Sequence, residues 1–315
     1  MDELDRTDEV ERRRLAAIIR ESAAPLEPQA PPLPPDWEGL LSAPRDSAAG
    51  SRALLFDVYG TLFCSAAGDI GPAGEAGAEA GISGGPAGET ADSPLEALAR
   101  RCDPRLTGND LPAFFRRKVS EIHRSRAAET AWPEVSAPKI WAELLREQGL
   151  AADGRASREF ALRYELAVNP VWPMPGAAET IAALRDSGRV LGIISNAQFF
   201  TPLLFEAFFG APPESLGFDP ELIIWSFAMG EAKPSPRLFD AALRTLASRG
   251  ISAAETSFVG NDMLSDIYGA ARAGFQCVLF AGDSRSLRLR HENPLLRGLR
   301  PSRIIRSLGE LAAGI

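Results

Sequence analysis

The most constraining stretch of the chain is Leu54-Leu55-Phe56-Asp57-Val58-Tyr59-Gly60-Thr61-Leu62-Phe63. An apolar run that ends in Asp and passes into Tyr-Gly-Thr reads as a buried parallel strand carrying a carboxylate to its C-terminal tip. In open α/β sheets that edge is where ligands bind. Gly60 permits a tight turn directly after the carboxylate, and the Thr61 hydroxyl can cap the turn or hold an anion. Taken alone, Asp57 reads equally well as a strand-end residue capping the next turn.

Three later stretches change that balance. Val190-Leu191-Gly192-Ile193-Ile194-Ser195-Asn196 is a second apolar strand, ending in a hydroxyl and an amide. Gly230-Glu231-Ala232-Lys233-Pro234-Ser235-Pro236 sets a lysine just before a helix start. Thr256 to Asp266 is a third strand, running into the acidic loop Gly260-Asn261-Asp262-Met263-Leu264-Ser265-Asp266. In this order the four stretches resemble the motifs of the haloacid dehalogenase-like (HAD) hydrolase superfamily, over roughly Arg52 to Gly282. The resemblance implies an α/β fold: a doubly wound, Rossmann-like parallel sheet with an α-helical cap inserted between the first and second motifs.

The rest of the chain fits that outline. Val10, Leu15, Ile18 and Ile19 recur at helical spacing within Asp8 to Ser22. A Pro- and Ala-rich arm follows to Pro44, which Trp37, Leu40 and Leu41 can pin to the body. Such an N-terminal helix is foreign to the usual core of the family and suits a docking or dimer-contact arm, or a tail. Ser65 to Pro94 is dominated by Gly and Ala without a hydrophobic period, as a surface loop would be. Leu95 to Glu165 carries several amphipathic helices, including one with Phe114, Phe115, Val119 and Ile122 on one side. From Val190 onward strands and helices alternate, which predicts a parallel sheet covered on both faces. A final helix is predicted over Ile304 to Ala313, and Ser284 to Arg303 reads as a basic surface excursion. The expected organisation is therefore an N-terminal helix and arm (1–50), a core (51–64 and 173–315), and a loop plus helical cap (65–172).

Composition narrows the function. The formal charge of −8 argues against a nucleic-acid partner. The N-terminus is charged, and no apolar run approaches the roughly 18 residues needed to span a bilayer, so no membrane partner is expected. Cys64, Cys102 and Cys277 are far apart, lack metal-ligand spacing and fit a reducing, cytoplasmic setting. Cys64 reads as a small core residue. Arg116, Arg117 and Lys118 read as a solvated helix face rather than substrate contacts.

A strand-tip carboxylate can act as a nucleophile, and Asp57 is the candidate. The resemblance implies an aspartyl-phosphate intermediate and Mg²⁺ held by the Asp57 side chain, the backbone carbonyl of Tyr59 and an acid of the fourth motif. Asn261, Asp262 and Asp266 are the candidates for that last position. Asp262 and Asp266 can instead cap the following helix, and Asp266 can simply hold Lys233. Ser195 is expected to hydrogen-bond a phosphate oxygen with help from the turn at Asn196. Thr61 is a further substrate contact, and Lys233 would hold both nucleophile and phosphoryl group. The expected substrate is a small phosphorylated metabolite, cleaved by a Mg²⁺-dependent phosphomonoesterase; a homodimer is conceivable.

Two departures from the phosphatase pattern keep alternatives open. The commonest first motif has Asp two residues after the nucleophile as general acid and base; here Tyr59 stands there, and a tyrosine, whose unperturbed pKa is near 10, is a proton donor and a poor base at neutral pH. Asp-x-Tyr-Gly-Thr resembles the 2-haloacid dehalogenase branch, which attacks carbon without metal. That branch tends to carry an arginine soon after the first motif, and Cys64 to Pro94 has neither Arg nor Lys. The acid cluster at Asn261, Asp262 and Asp266 favours the phosphatase. His123 is a distant candidate for the missing acid and base. A non-catalytic phosphate-binding protein is the third alternative.

Overall fold

A computed structural model describes residues 7–41, 50–68 and 93–313. Its centre is β1 (Ala53–Phe56), buried at every position. Beside it on one side lie β4 (Val190–Ser195) and β5 (Phe218–Trp225); on the other lie β6 (Thr256–Gly260), β7 (Gln276–Phe280) and β8 (Arg303–Ile305). The sheet order is β5-β4-β1-β6-β7-β8, and every pairing is parallel. Side chains alternate across the sheet with a period of two. Leu54 and Phe56 face one apolar layer with Leu15, Leu184 and Phe205, while Ala53 and Leu55 face the other with Leu238, Phe239 and Leu246. Burial on both faces explains why the strands read as continuous apolar runs.

The covering helices follow from local signals. Those of the sheet are α6 (Ala177–Asp186), α7 (Thr201–Phe209) and α8 (Pro236–Ser248). Pro236 opens α8 where its missing N–H costs nothing, and the Ser235 hydroxyl caps it. Between β1 and β4 the chain builds a helical cap: α2 (Pro94–Cys102), α3 (Asp110–Arg126), α4 (Ala137–Glu147) and α5 (Gly154–Val168). Trp141 is its centre, in ring contact with Phe114, Phe115, Phe160 and Tyr164. The chain leaves and re-enters the sheet through an antiparallel pair, β2 (Phe63–Ser65) and β3 (Val171–Pro173).

A second tie joins cap to core. The Trp132 carbonyl accepts from Ala232 N at 2.9 Å, Glu134 N donates to the Gly230 carbonyl at 3.2 Å, and Arg126 donates to that same carbonyl at 3.2 Å. The N-terminal helix α1 (Glu9–Ser22) supplies a third. It packs on both α5 and α7, with Leu15 and Ile19 buried in the apolar layer. Arg12 pairs with Glu206 of α7, Arg14 with Glu159 of α5, and the Arg158 guanidinium of α5 grips Glu11 in a buried pair at 3.0 and 2.7 Å. The apolar face of α1 is thus filled within the chain. Trp37 of the arm is buried too, with Leu40 and Leu41 packed against the same layer.

Three sequence expectations are corrected. The predicted helix over Ile304 to Ala313 is instead β8, paired with β7 through Leu279 and Ile304, followed by a 3₁₀ turn at Leu308–Leu311. A short apolar run does not distinguish strand from helix by period, and here an open sheet edge takes it. The helix expected to follow the fourth-motif acids begins as a π-helical turn, Met263–Tyr268. The segment Ser284 to Arg303 is no simple surface excursion, because Ser286 is buried beside the strand tips and Leu296 in the apolar layer. Residues 69–92, the bulk of the Gly/Ala-rich stretch, lie outside the described residues.

Removing one partner of a buried ion pair strands the other charge, at a cost of about 3–5 kcal/mol, whereas replacing both by apolar groups is often neutral. Glu11→Ala should therefore destabilise the protein by about 3 kcal/mol in urea unfolding. The double variant Glu11→Leu with Arg158→Leu should recover most of that loss.

Candidate active site

Parallel order with β1 flanked by β4 and β6 brings three strand tips to one point, where the chain direction switches across the sheet. Asp57 follows β1 and keeps its backbone in register by donating N–H to the Val259 carbonyl at 2.9 Å. The chain then turns sharply, with the Val58 carbonyl accepting from the N–H groups of Thr61, Leu62 and Phe63. Gly60 makes that turn at φ +79°, and a Cβ there would lie 2.4 Å from Ser286 Cβ, so both conformation and space demand glycine.

Two donors converge on one oxygen of Asp57. Ser195 Oγ, at the end of β4, donates to Oδ1 at 2.9 Å, and Lys233 Nζ donates to the same atom at 2.7 Å. Lys233 reaches Asp266 Oδ1 at 2.5 Å with a second proton, and its ammonium lies 5.5 Å from the Phe258 ring centroid. Burial alone would lower the Lys233 pKa, but the charges of Asp266 and Asp57 outweigh it and hold the amine above its usual 10.5. Burial pushes the Asp266 carboxyl up, to about 7, with Asp57 and Asp262 adding to the rise and Lys233 opposing it. The second oxygen of Asp266 accepts the backbone N–H groups of Asn261 and Asp262, both at 2.9 Å. Asn196 acts on the lysine loop, its Oδ1 accepting Lys233 N at 2.6 Å.

The cleft above these groups is lined by Asp57, Tyr59, Asn196, Lys233, Asn261, Asp262, Ser265 and Asp266, with Gly68 at its edge. A roomier cavity lies elsewhere, among Leu98, Cys102, Leu145 and Phe160 of the cap, with none of the motif residues in its wall. Lys118 is paired with Glu143 at 2.6 Å, and neither it nor Arg116, Arg117 or His123 lines the strand-tip cleft. Cys64 is buried, which pushes its thiol up to about 11 and leaves it an inert core residue.

Several expected site residues are otherwise engaged. Thr61 is fully buried and donates its hydroxyl to Asn261 Oδ1 at 3.0 Å rather than into the cleft. The Asn261 amide donates in turn to the Ser286 carbonyl at 2.7 Å. The Tyr59 hydroxyl is hydrogen-bonded to Thr201 Oγ1 at 3.1 Å. Asp262 Oδ1 accepts the N–H groups of Leu264 and Ser265, capping the turn that follows.

Sequence reasoning missed Arg290, which holds both oxygens of Asp262: Nε lies 2.9 Å from each, and Nη2 2.6 Å from Oδ2. It is placed by residues running beside the fourth motif, where Arg288 N donates to the Asn261 carbonyl at 3.0 Å and Met263 N to the Arg288 carbonyl at 2.9 Å. The signal in the sequence was the spacing Arg285, Arg288, Arg290 soon after the β7 strand.

Among the described residues, no group of three or more His, Cys, Asp or Glu side chains is arranged to hold a metal ion. The fourth-motif donors expected for Mg²⁺ do not fit one as they stand. Hard cations need open oxygen ligands, and those of Asp262, Asp266 and Asn261 already accept other bonds.

A family model for haloacid dehalogenase-like hydrolases matches residues 51–274. The chain belongs to this hydrolase family. The glyceraldehyde 3-phosphate phosphatase of Pyrococcus abyssi is 32% identical over 113 residues, which are 34% of this chain and 42% of that protein. The phosphoglycolate phosphatase of Pseudomonas syringae is 31% identical over 157 residues, 49% of this chain and 51% of that one. A solved 2-haloacid dehalogenase of Pseudomonas syringae pv. Tomato superposes with a TM-score of 0.49 at 19% identity, covering 82% of this chain and 95% of that one. The chain spans about half the length of the curated relatives it matches. Among the described residues, no helix is long and apolar enough to cross a membrane.

Gly260 leaves no room for a side chain in this hydrolase site. A Cβ there would lie 2.4 Å from Asp266 Cγ, and Asp266 is itself pinned by Lys233 and two backbone N–H groups. Gly260→Ala should cost about 1–3 kcal/mol in denaturant unfolding, as overpacking of a filled core does.

Proposed function

We propose that this hydrolase is a phosphomonoesterase acting on a small phosphorylated metabolite in a reducing, cytoplasmic setting, with Asp57 as the nucleophile. The observation that supports this reading is the convergence of Ser195 Oγ and Lys233 Nζ on a single oxygen of Asp57. That arrangement orients the carboxylate at a strand tip and sets a permanent positive charge where phosphate negative charge would gather. The two phosphatase relatives point the same way.

In this reading a carboxylate oxygen of Asp57 attacks phosphorus, the bond from phosphorus to the leaving oxygen breaks, and an aspartyl-phosphate forms. Water then cleaves that acyl phosphate and restores the carboxylate. Lys233 and Ser195 stabilise the phosphoryl oxygens, and Asn196 keeps Lys233 in place through its backbone. Tyr59 stands at the acid–base position. With its hydroxyl bonded to Thr201, it supplies no ready base, so turnover is expected to be slow or confined to substrates with good leaving groups. Magnesium held by Asp57, the Tyr59 carbonyl and Asp262 would add countercharge, but the bonds already made at Asp262, Asn261 and Asp266 do not fit it.

A second reading, a 2-haloacid dehalogenase, is favoured by Tyr59 and by the occupied oxygens of Asp262 and Asp266, since that branch uses no metal. Hydrolysis of p-nitrophenyl phosphate separates the two. The phosphatase should release p-nitrophenol, and Asp57→Asn should reduce the rate by about 10³-fold or more, as loss of a nucleophile does. Chloride release from 2-chloropropionate, with no phosphatase activity, would replace the first reading by the second.

A further inference from the structure

We propose that Arg290 is a resident counter-cation for Asp262, and that it keeps divalent metal off the fourth-motif acid until it is displaced. This goes beyond the phosphatase reading, and its test measures metal binding rather than turnover.

The inference starts from the occupancy of Asp262. Its Oδ1 accepts Leu264 N at 2.7 Å, Ser265 N at 3.0 Å and Arg290 Nε at 2.9 Å. Its Oδ2 accepts Arg290 Nε at 2.9 Å and Nη2 at 2.6 Å. A carboxylate offers about four lone-pair sites, so both oxygens are filled. The forked contact is the geometry in which guanidinium binds carboxylate most strongly. The Asp262 side chain is only 7% exposed, so its carboxylate is largely withdrawn from solvent while Arg290 stays partly open to it.

Arg290 is also held in place at a backbone cost. Its φ is +48°, the only positive value outside glycine among the described residues. Arginine rarely occupies that region, which persists only where surrounding contacts enforce it. Those contacts are present: Asn261 Nδ2 to the Ser286 carbonyl, Arg288 N to the Asn261 carbonyl, and Met263 N to the Arg288 carbonyl. The three bonds run the arginine segment alongside the fourth motif and aim Arg290 at Asp262.

The local charge balance explains what the arginine does. Asp57, Asp262 and Asp266 are three carboxylates in one cleft, and Lys233 bridges two of them. Arg290 neutralises the third. A divalent ion seeking Asp262 meets filled lone pairs and an adjacent fixed positive charge. It can bind only the fraction of molecules in which Arg290 has let go, and its apparent affinity falls by that fraction.

The test is Mn²⁺ titration of the full chain, followed by calorimetry and by the loss of the free-ion paramagnetic signal. Arg290→Ala and Arg290→Gln should each bind Mn²⁺ about tenfold or more tighter than the unaltered protein. Adding Asp262→Asn to either should abolish the gain. Arg290→Lys keeps the charge without the fork and should show a smaller gain. Far-ultraviolet circular dichroism checks that each variant is folded, and the Gln variant covers the case in which the Ala variant is not. Equal or weaker Mn²⁺ binding by the folded variants would overturn the inference, as would a gain that survives Asp262→Asn. The phosphatase reading is judged separately, by p-nitrophenyl phosphate hydrolysis, and stands or falls independently of these affinities.

Discussion

The site depends on one buried ammonium shared by two carboxylates. Lys233 has almost no access to water, and its charge is carried by Asp57 and Asp266. A buried charge is tolerable only when fully paired, so everything around Lys233 is fixed to keep the pairing. Asn196 holds its backbone, Ser195 steadies the carboxylate on one side, and the backbone N–H groups of Asn261 and Asp262 hold Asp266 on the other. The tips of β1, β4 and β6 are thereby locked to one another through polar contacts, while the strands behind them are held by apolar burial. The same arrangement that allows a lysine to be buried also presents an oriented carboxylate at the sheet edge.

The sheet was legible because each strand is buried on both sides and short, which leaves an apolar run bounded by Gly, Asp or Asn. Val190 to Ile194 and Gln276 to Phe280 are of this kind, and Pro236 with Ser235 announces α8. The cap helices were legible from their apolar stripes, with Trp141 and Phe114 meeting as the pattern requires. Ile304 and Ile305 were not, because two apolar residues followed by Leu308 and Leu311 satisfy a helical period as well as a strand, and the free edge of β7 decides.

At the site, the sequence carried the residues that converge on Asp57 but not the bonds that occupy the rest. Thr61 and Asn261 lie 200 positions apart, and nothing local to either predicts that they bond each other. The Asp262–Arg290 pair has the same character: a basic stretch without periodicity looks like solvated surface until the chain around it is seen to run along the fourth motif. Motif positions record which elements meet at the sheet edge. Which lone pairs remain open is set by contacts far apart in the chain, and that determines whether the site accepts a metal.

The N-terminal helix has a mechanical consequence. A block joined to its base by one pair of strands can swing like a door about that seam. Here the helical block is also fastened where its loop meets Gly230 and Ala232, and again where α1 lies across α5 and α7. Three separate fastenings resist rotation about any one of them. Access to the cleft by movement of the block therefore begins with the release of a fastening, and α1 shares control of that threshold with the residues beside Lys233.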